Sequence, residues 1–223
     1  MGYNAEILED AGVNPDSLTS LAAYQTAFTA IETFYATNAM YDDFAVVSMA
    51  AGAGMTWVTG LHNFNGYLSA GLAYDDSSVI DNLNAGIADV TRLTAYADWV
   101  ELLYTYADQT ILLEGTYDTQ VGKFAAGEAA FIHQGNWIDP NLMAYFNAEV
   151  DPYDQFEMGY APHAAATGTE WMAAEKIYAW WQNDMPSGFG MDTLGPIYTN
   201  FANGNLTKAE FILAVQAKIE DIA

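Results

Sequence analysis

From Asn84 to Gln109 the chain reads "NAGIADVTRLTAYADWVELLYTYADQ". Apolar residues recur at Ile87, Val90, Leu93, Tyr96, Val100, Leu103 and Ala107, in steps of three and four. A strand cannot use that period, because its side chains alternate faces at every residue. The spacing predicts a long helix with one face on a core. A second stretch of the same kind places Leu21, Tyr24, Phe28, Ile31 and Tyr35 on one helical face.

Short apolar runs separate the helical stretches. Phe44 to Ala50 ("FAVVSMA"), Ala129 to Gln134 and Phe156 to Pro162 ("FEMGYAP") each read as a strand. Further helices follow from their start and stop signals. One starts near Asn4 and ends at Gly12, before a turn at Asn14-Pro15-Asp16; "TYDTQVGKFAAG" is stopped by Gly127; "PIYTNFANG" ends at Asn203-Gly204. "WVTGLHNFNGYLSAGL", "WIDPNLMAYFN" and "EWMAAEKIYAWW" are also helical, and Thr207 with Glu210 forms a capping box for a last helix. "QNDMPSGFGMDTLGP" reads as a loop. Helices alternating with three short strands argue for a helix-rich α/β fold, a small central sheet flanked by helices. With no repeat and no long linker, a single domain over residues 1–223 is expected.

Charge excludes several partners. Asp plus Glu is 29 against 5 Lys plus Arg, a formal charge of −24. Such a surface repels nucleic acid and anionic membranes. Because the acidic residues are scattered, the charge reads as a property of the whole surface, which salt adaptation or surface redesign would explain. No run of about 18 uninterrupted apolar residues occurs, so no membrane insertion is expected. The start, Met1-Gly2-Tyr3-Asn4, has no basic region or apolar core, and no signal peptide is expected in this chain. With no cysteine, thiolate chemistry and zinc–cysteine sites are excluded.

Most catalytic motifs fail. "GAGMTW" from Gly52 opens like a dinucleotide loop, but Trp57 occupies the third glycine position. There is no phosphate loop and no nucleophile elbow. His62, His133 and His163 lack paired metal spacing, so no metal and no cofactor are expected. The acidic pairs Asp42-Asp43 and Asp75-Asp76 and the Asp151/Asp154/Glu157 cluster read as solvated surface or loop. Tryptophan and tyrosine carry what remains. Trp57 and Trp137 each follow a glycine beyond the carboxyl end of a predicted strand, where open α/β sheets bind ligands. A flat ring there can stack on a sugar face while neighbouring Asn and His bond its hydroxyls. Either ring can equally plug the core, and the pattern leaves both readings open.

At these residues the chain resembles the extracellular carbohydrate-binding proteins of ABC importers, relatives of maltose-binding protein. "VGKFAAGEAAFIHQGNW" followed by "FEMGYAPH" matches the family's helix, strand, Gly-x-Trp turn and outgoing strand. "GYNAEILEDAGVNPDSLTS", "MTWVTGLHNFNGYLS" and "GFGMDTLGPIYTNFANGNLTKAEFILAVQ" resemble further segments in family order. Family members are about twice as long and have two lobes. The resemblance implies the carboxy-terminal lobe of a periplasmic binding protein type II fold. Residues 1–163 would form its main part, 164–170 a short connector replacing the other lobe, and 171–223 the carboxy-terminal helices. It further implies a non-catalytic sugar-binding lobe, extracellular or periplasmic in the parent family, with an ABC permease as that family's partner. Trp57 and Trp137 would be stacking platforms. His62, Asn63, Asn65 and Asn136 would be polar contacts, with Trp180 and Trp181 at the rim. Missing its opposite wall, such a lobe is expected to bind weakly or not at all, and both the truncation and the low lysine content suggest engineering. Its former interlobe face would then be a surface for self-association. A ligand-free scaffold and a carboxylate-dependent glycoside hydrolase are the alternatives.

Overall fold

The computed structural model describes residues 1–37, 43–148, 155–161 and 179–223. The connector expected at 164–170 lies outside them, as do the helix expected from Glu170 as far as residue 178 and the residues Asp42, Asp151, Asp154, Pro162 and His163. In chain order the elements are β1 (Gly2–Asn4), α1 (Ala5–Asp10), α2 (Leu21–Ala36), β2 (Ala45–Ser48), α3 (Asn65–Ser69), α4 (Ser78–Asn84), α5 (Val90–Thr105), α6 (Gln109–Glu114), α7 (Tyr117–Ala125), β3 (Ala129–Ile132), α8 (Asp139–Phe146), β4 (Met158–Tyr160), α9 (Gly195–Ala202) and α10 (Lys208–Glu220). The chain divides into two compact units, Met1–Ala50 with Leu103–Pro162, and Ala51–Leu102 with His163–Ala223.

The first unit is an α/β sandwich around a four-stranded mixed sheet of order β2-β3-β1-β4. β2 runs parallel to β3, with Val47 opposite Phe131. β1 runs antiparallel to both of its neighbours. All four residues of β3 are buried, as a strand covered on both faces requires. On one face Phe131 meets Phe28 and Tyr24 of α2, with ring centroids 5.2 and 6.3 Å apart. On the other, Ile132 belongs to a cluster with Val121 and Phe124 of α7, Leu142 of α8, and Phe156. Helix α2 buries Tyr24, Phe28, Ile31 and Tyr35 as the period predicts. Helix α7 is started by a capping box at Thr116 and stopped at Gly127, whose φ of +72° favours glycine.

No strand occurs among the described residues of the second unit. Trp99, Tyr67, Phe64 and Tyr198 fill its core. Two π-helical turns, Val58–Asn63 and Phe189–Leu194, meet at glycines. A Cβ on Gly60 would lie 1.9 Å from the Gly190 carbonyl oxygen, so only hydrogen fits there. The segment read as a loop around Gly190 is therefore helical in part. Gly188 makes the turn, with φ +76°, while Gly190 permits the close packing. Helix α5 starts at Val90, where the Asp89 carboxylate accepts from the Arg92 amide 2.9 Å away. Ile87 and Val90, expected on the core face, are exposed; Leu93, Tyr96 and Val100 are buried. Helix α10 carries the capping box expected from Thr207 and Glu210.

Candidate functional site

The candidate chemistry lies at one exposed ring, Trp137, in the first unit and at an aromatic cluster in the second.

In the first unit, β3 stops at Ile132 and the chain bends at once, the Gln134 amide donating to the Ile132 carbonyl at 3.0 Å. A 3-10 turn at Asn136–Ile138 then presents Trp137, 39% exposed, with Asn136 exposed beside it in the chain. The ring folds back over Gly135, where a Cβ would sit 2.3 Å from ring carbon Cζ3. Its Nε1–H donates to Gln134 Oε1 at 3.0 Å. One edge of the indole is thus held by the protein while a large part of the ring faces solvent. Ile138, the next residue, is fully buried and anchors the turn in the core.

In the second unit Trp57 and His62 are half-buried and Trp180 is 43% exposed. Trp57 and His62 meet edge to face with centroids 5.2 Å apart, and His62 lies 5.3 Å from Trp180. Burial pushes the His62 imidazole down to about 4, so the ring is neutral at pH 7. A neutral imidazole carries one donor and one acceptor nitrogen, and Nδ1 of this one is buried. Asn63 and Asn65 are buried. Asn63 Oδ1 accepts from the Tyr96 hydroxyl at 2.9 Å, which leaves the Tyr198 hydroxyl to donate to Tyr96 across 2.5 Å. Asn65 pins the segment that carries the two tryptophans. Its Nδ2 donates to the Ala179 carbonyl at 3.2 Å, and its Oδ1 accepts from the Gln182 amide at 3.2 Å. Trp181 is half-buried, its Nε1 unpartnered among the described residues. Of the residues singled out in the sequence, Trp57, His62 and Trp180 come together, and Trp137 stands with Asn136 in the other unit. Asn63 and Asn65 instead make buried bonds to their own unit.

Sequence reasoning missed Gln120 and Gln134, which lie behind Trp137. Nothing in a single sequence separates a buried glutamine from a surface one. The described residues contain no cluster of His, Asp and Glu able to hold a metal. No helix among them is long and apolar enough to cross a membrane. The carboxyl groups with shifted acidity, Asp76, Asp108 and Glu210, are all shifted down, chiefly by hydrogen bonds that favour the ionised form, with Asp108 held down against its own burial.

No protein-family model matches the chain, and no curated protein sequence does. Solved structures match it throughout. A sugar transporter structure from Bacillus licheniformis, determined in complex with stachyose, matches with a TM-score of 0.67 at 15% identity over 100% of this chain and 71% of its own. A chitin oligosaccharide binding protein matches with a TM-score of 0.62 at 14% identity over 99% of this chain and 68% of its own. A family 1 extracellular solute-binding protein from Bifidobacterium longum subsp. infantis matches with a TM-score of 0.57 at 13% identity over 97% and 69%. At such identities the fold is what is shared. It is the helix-rich α/β fold of a solute-binding protein lobe.

Proposed function

We propose that the chain is a non-catalytic carbohydrate-binding protein, a lobe of the solute-binding kind that works outside the cytoplasm in sugar uptake. The observation that carries this reading is Trp137: its ring is exposed, folded over Gly135 and held by Gln134. An indole face fixed in this way suits the apolar C–H face of a pyranose. Trp57, His62 and Trp180 supply a second aromatic surface with a neutral imidazole for hydroxyl groups. The stachyose complex and the chitin oligosaccharide binding protein among the structural neighbours support the ligand class.

The ligand is uncharged. Every described Lys and Arg is already engaged: Arg92 with the Tyr67 and Ala70 carbonyls, Lys123 with Asp108, Lys208 with Asp98 and Glu101, and Lys218 with Asp221. No described cation is left to offset the desolvation of a sugar acid. Affinity is weak, since a half-exposed ring contacts one sugar face only; a dissociation constant on the order of 1 mM corresponds to about 4 kcal/mol.

Titrating stachyose and N,N′-diacetylchitobiose while following tryptophan fluorescence tests the reading. A saturable change for at least one sugar is expected, at least tenfold weaker in Trp137→Ala. A flat response to both sugars at 100 mM, or the same affinity in Trp137→Ala, would refute it.

A further inference from the structure

Behind Trp137 lies a chain of buried amides. Gln120 of α7 is 0% exposed and Gln134 is 5% exposed. Uncharged amides in a core are costly unless their donors and acceptors are matched. Gln120 Nε2 donates to the Ser48 carbonyl at 3.0 Å and to the His133 carbonyl at 3.2 Å, just where β2 and β3 end. With both N–H groups committed, its Oε1 accepts from Gln134 Nε2 at 3.0 Å. That in turn leaves Gln134 Oε1 to face the indole, which can only donate. Ser48 Oγ closes the network by donating to the Gln120 carbonyl at 2.8 Å. The polarity of the whole chain is determined: flipping either amide would set donor against donor or acceptor against acceptor. It starts at the strand ends and ends at the exposed ring.

We infer that Gln120 and Gln134 are positioning residues for ligand binding. They fix the Trp137 ring before any sugar arrives, so less side-chain freedom is lost on stacking. The indole N–H is also withdrawn from the ligand. Trp137 therefore reads a sugar by its apolar face alone and tolerates changes in hydroxyl configuration, and selection among hydroxyls falls to other groups.

The ligand part of this inference rests on the sugar-binding reading; the positioning part does not. Two substitutions separate positioning from general stability. Gln134→Met removes both the donor to Gln120 and the acceptor for the indole, whereas Gln134→Glu keeps the acceptor and, when ionised, removes the donor alone. Each is compared with the wild type by exchange of the Trp137 indole N–H in ¹⁵N NMR, stachyose affinity and thermal midpoint. The midpoint is expected to fall in both. Indole exchange should speed up at least tenfold, and affinity fall about five- to tenfold, in Gln134→Met only; one lost hydrogen bond is about that much. Gln120→Met, which leaves Gln134 free to turn over, should also speed indole exchange and serves if a Gln134 variant does not fold. Affinity loss that tracks the midpoint in both Gln134 variants overturns the inference. So does indole exchange unchanged in Gln134→Met and Gln120→Met. If the wild type binds no stachyose, the sugar reading falls while indole exchange still decides the positioning role.

Discussion

Replacing Gly135 by alanine perturbs the ring of Trp137 and little else. Gly135 has φ −97° and ψ −176°, an extended backbone that alanine adopts without strain. The new Cβ would stand 2.3, 2.6 and 2.7 Å from ring carbons Cζ3, Cη2 and Cε3. Carbon atoms in contact sit about 3.5–4.0 Å apart, so the ring must retreat by about 1 Å. The Nε1–H to Gln134 Oε1 bond, now 3.0 Å, is then lost, since hydrogen bonds fade beyond about 3.5 Å. That loss costs about 0.5–1.5 kcal/mol. Removing glycine's freedom from the unfolded chain returns about 0.4–1 kcal/mol. Stability is expected to change by less than about 1 kcal/mol, while sugar affinity falls roughly tenfold because the platform is displaced and freed. Calorimetric titration with stachyose beside a thermal scan measures both. Affinity within twofold of wild type, at an unchanged tryptophan emission maximum, would refute the reasoning.

Other expectations concern pH, ion pairing and salt. His62 is held down to about 4 by burial, so as pH falls from about 6.5 the unfolded chain takes up the proton first. Stability is therefore lost between about pH 6.5 and pH 4, and His62→Gln should flatten that segment of a urea-midpoint profile; parallel profiles would contradict the assignment. Lys123 Nζ lies 2.9 Å from Asp108 Oδ2 and also donates to the Asp43 carbonyl. Burial alone would raise the Asp108 carboxyl, but the Ile111 amide and Lys123 hold it below the usual range. This contribution is present above about pH 4 and disappears as pH falls through the depressed value. Lys123→Met should cost about 3 kcal/mol in urea denaturation at pH 7, and adding Asp108→Asn should recover part of it. With a formal charge of −24, the thermal midpoint should rise by about 2–4 °C for each kcal/mol of repulsion screened between 0.05 and 1 M NaCl, as screening shortens to about 3 Å. A flat or falling midpoint in differential scanning calorimetry would count against self-repulsion.

Signals that act over one turn were readable in the sequence. Thr207 with Glu210 and the stops at Gly12, Gly127 and Gly204 set helix ends where expected, because a cap or a positive φ is decided by nearest neighbours. The α2 face from Tyr24 to Tyr35 was equally plain. Strand β1 was not: Gly2-Tyr3-Asn4 is too short to show a period and exists through its pairing with β3 and β4. Periodicity also carried Ile87 and Val90 into a core they do not reach, since it cannot see that Asp89 caps the helix. Gly190 looked like a turn residue and is a contact residue. At the candidate site the place of Trp137 after β3 was legible, but its exposure was not, because the pattern fits a core plug as well as an open ring. Nor was the relay behind it, because Gln120, Gln134 and Ser48 meet only once the strands have paired.

The six indole N–H resonances of ¹⁵N-labelled protein, followed during titration with stachyose and N,N′-diacetylchitobiose, test the central claim most directly. Saturable shifts are expected at Trp137 and at Trp57 or Trp180, with Trp99, 1% exposed, unmoved. No shift at any exposed tryptophan at 100 mM sugar, or shifts at Trp99 as large as those at Trp137, would contradict the account.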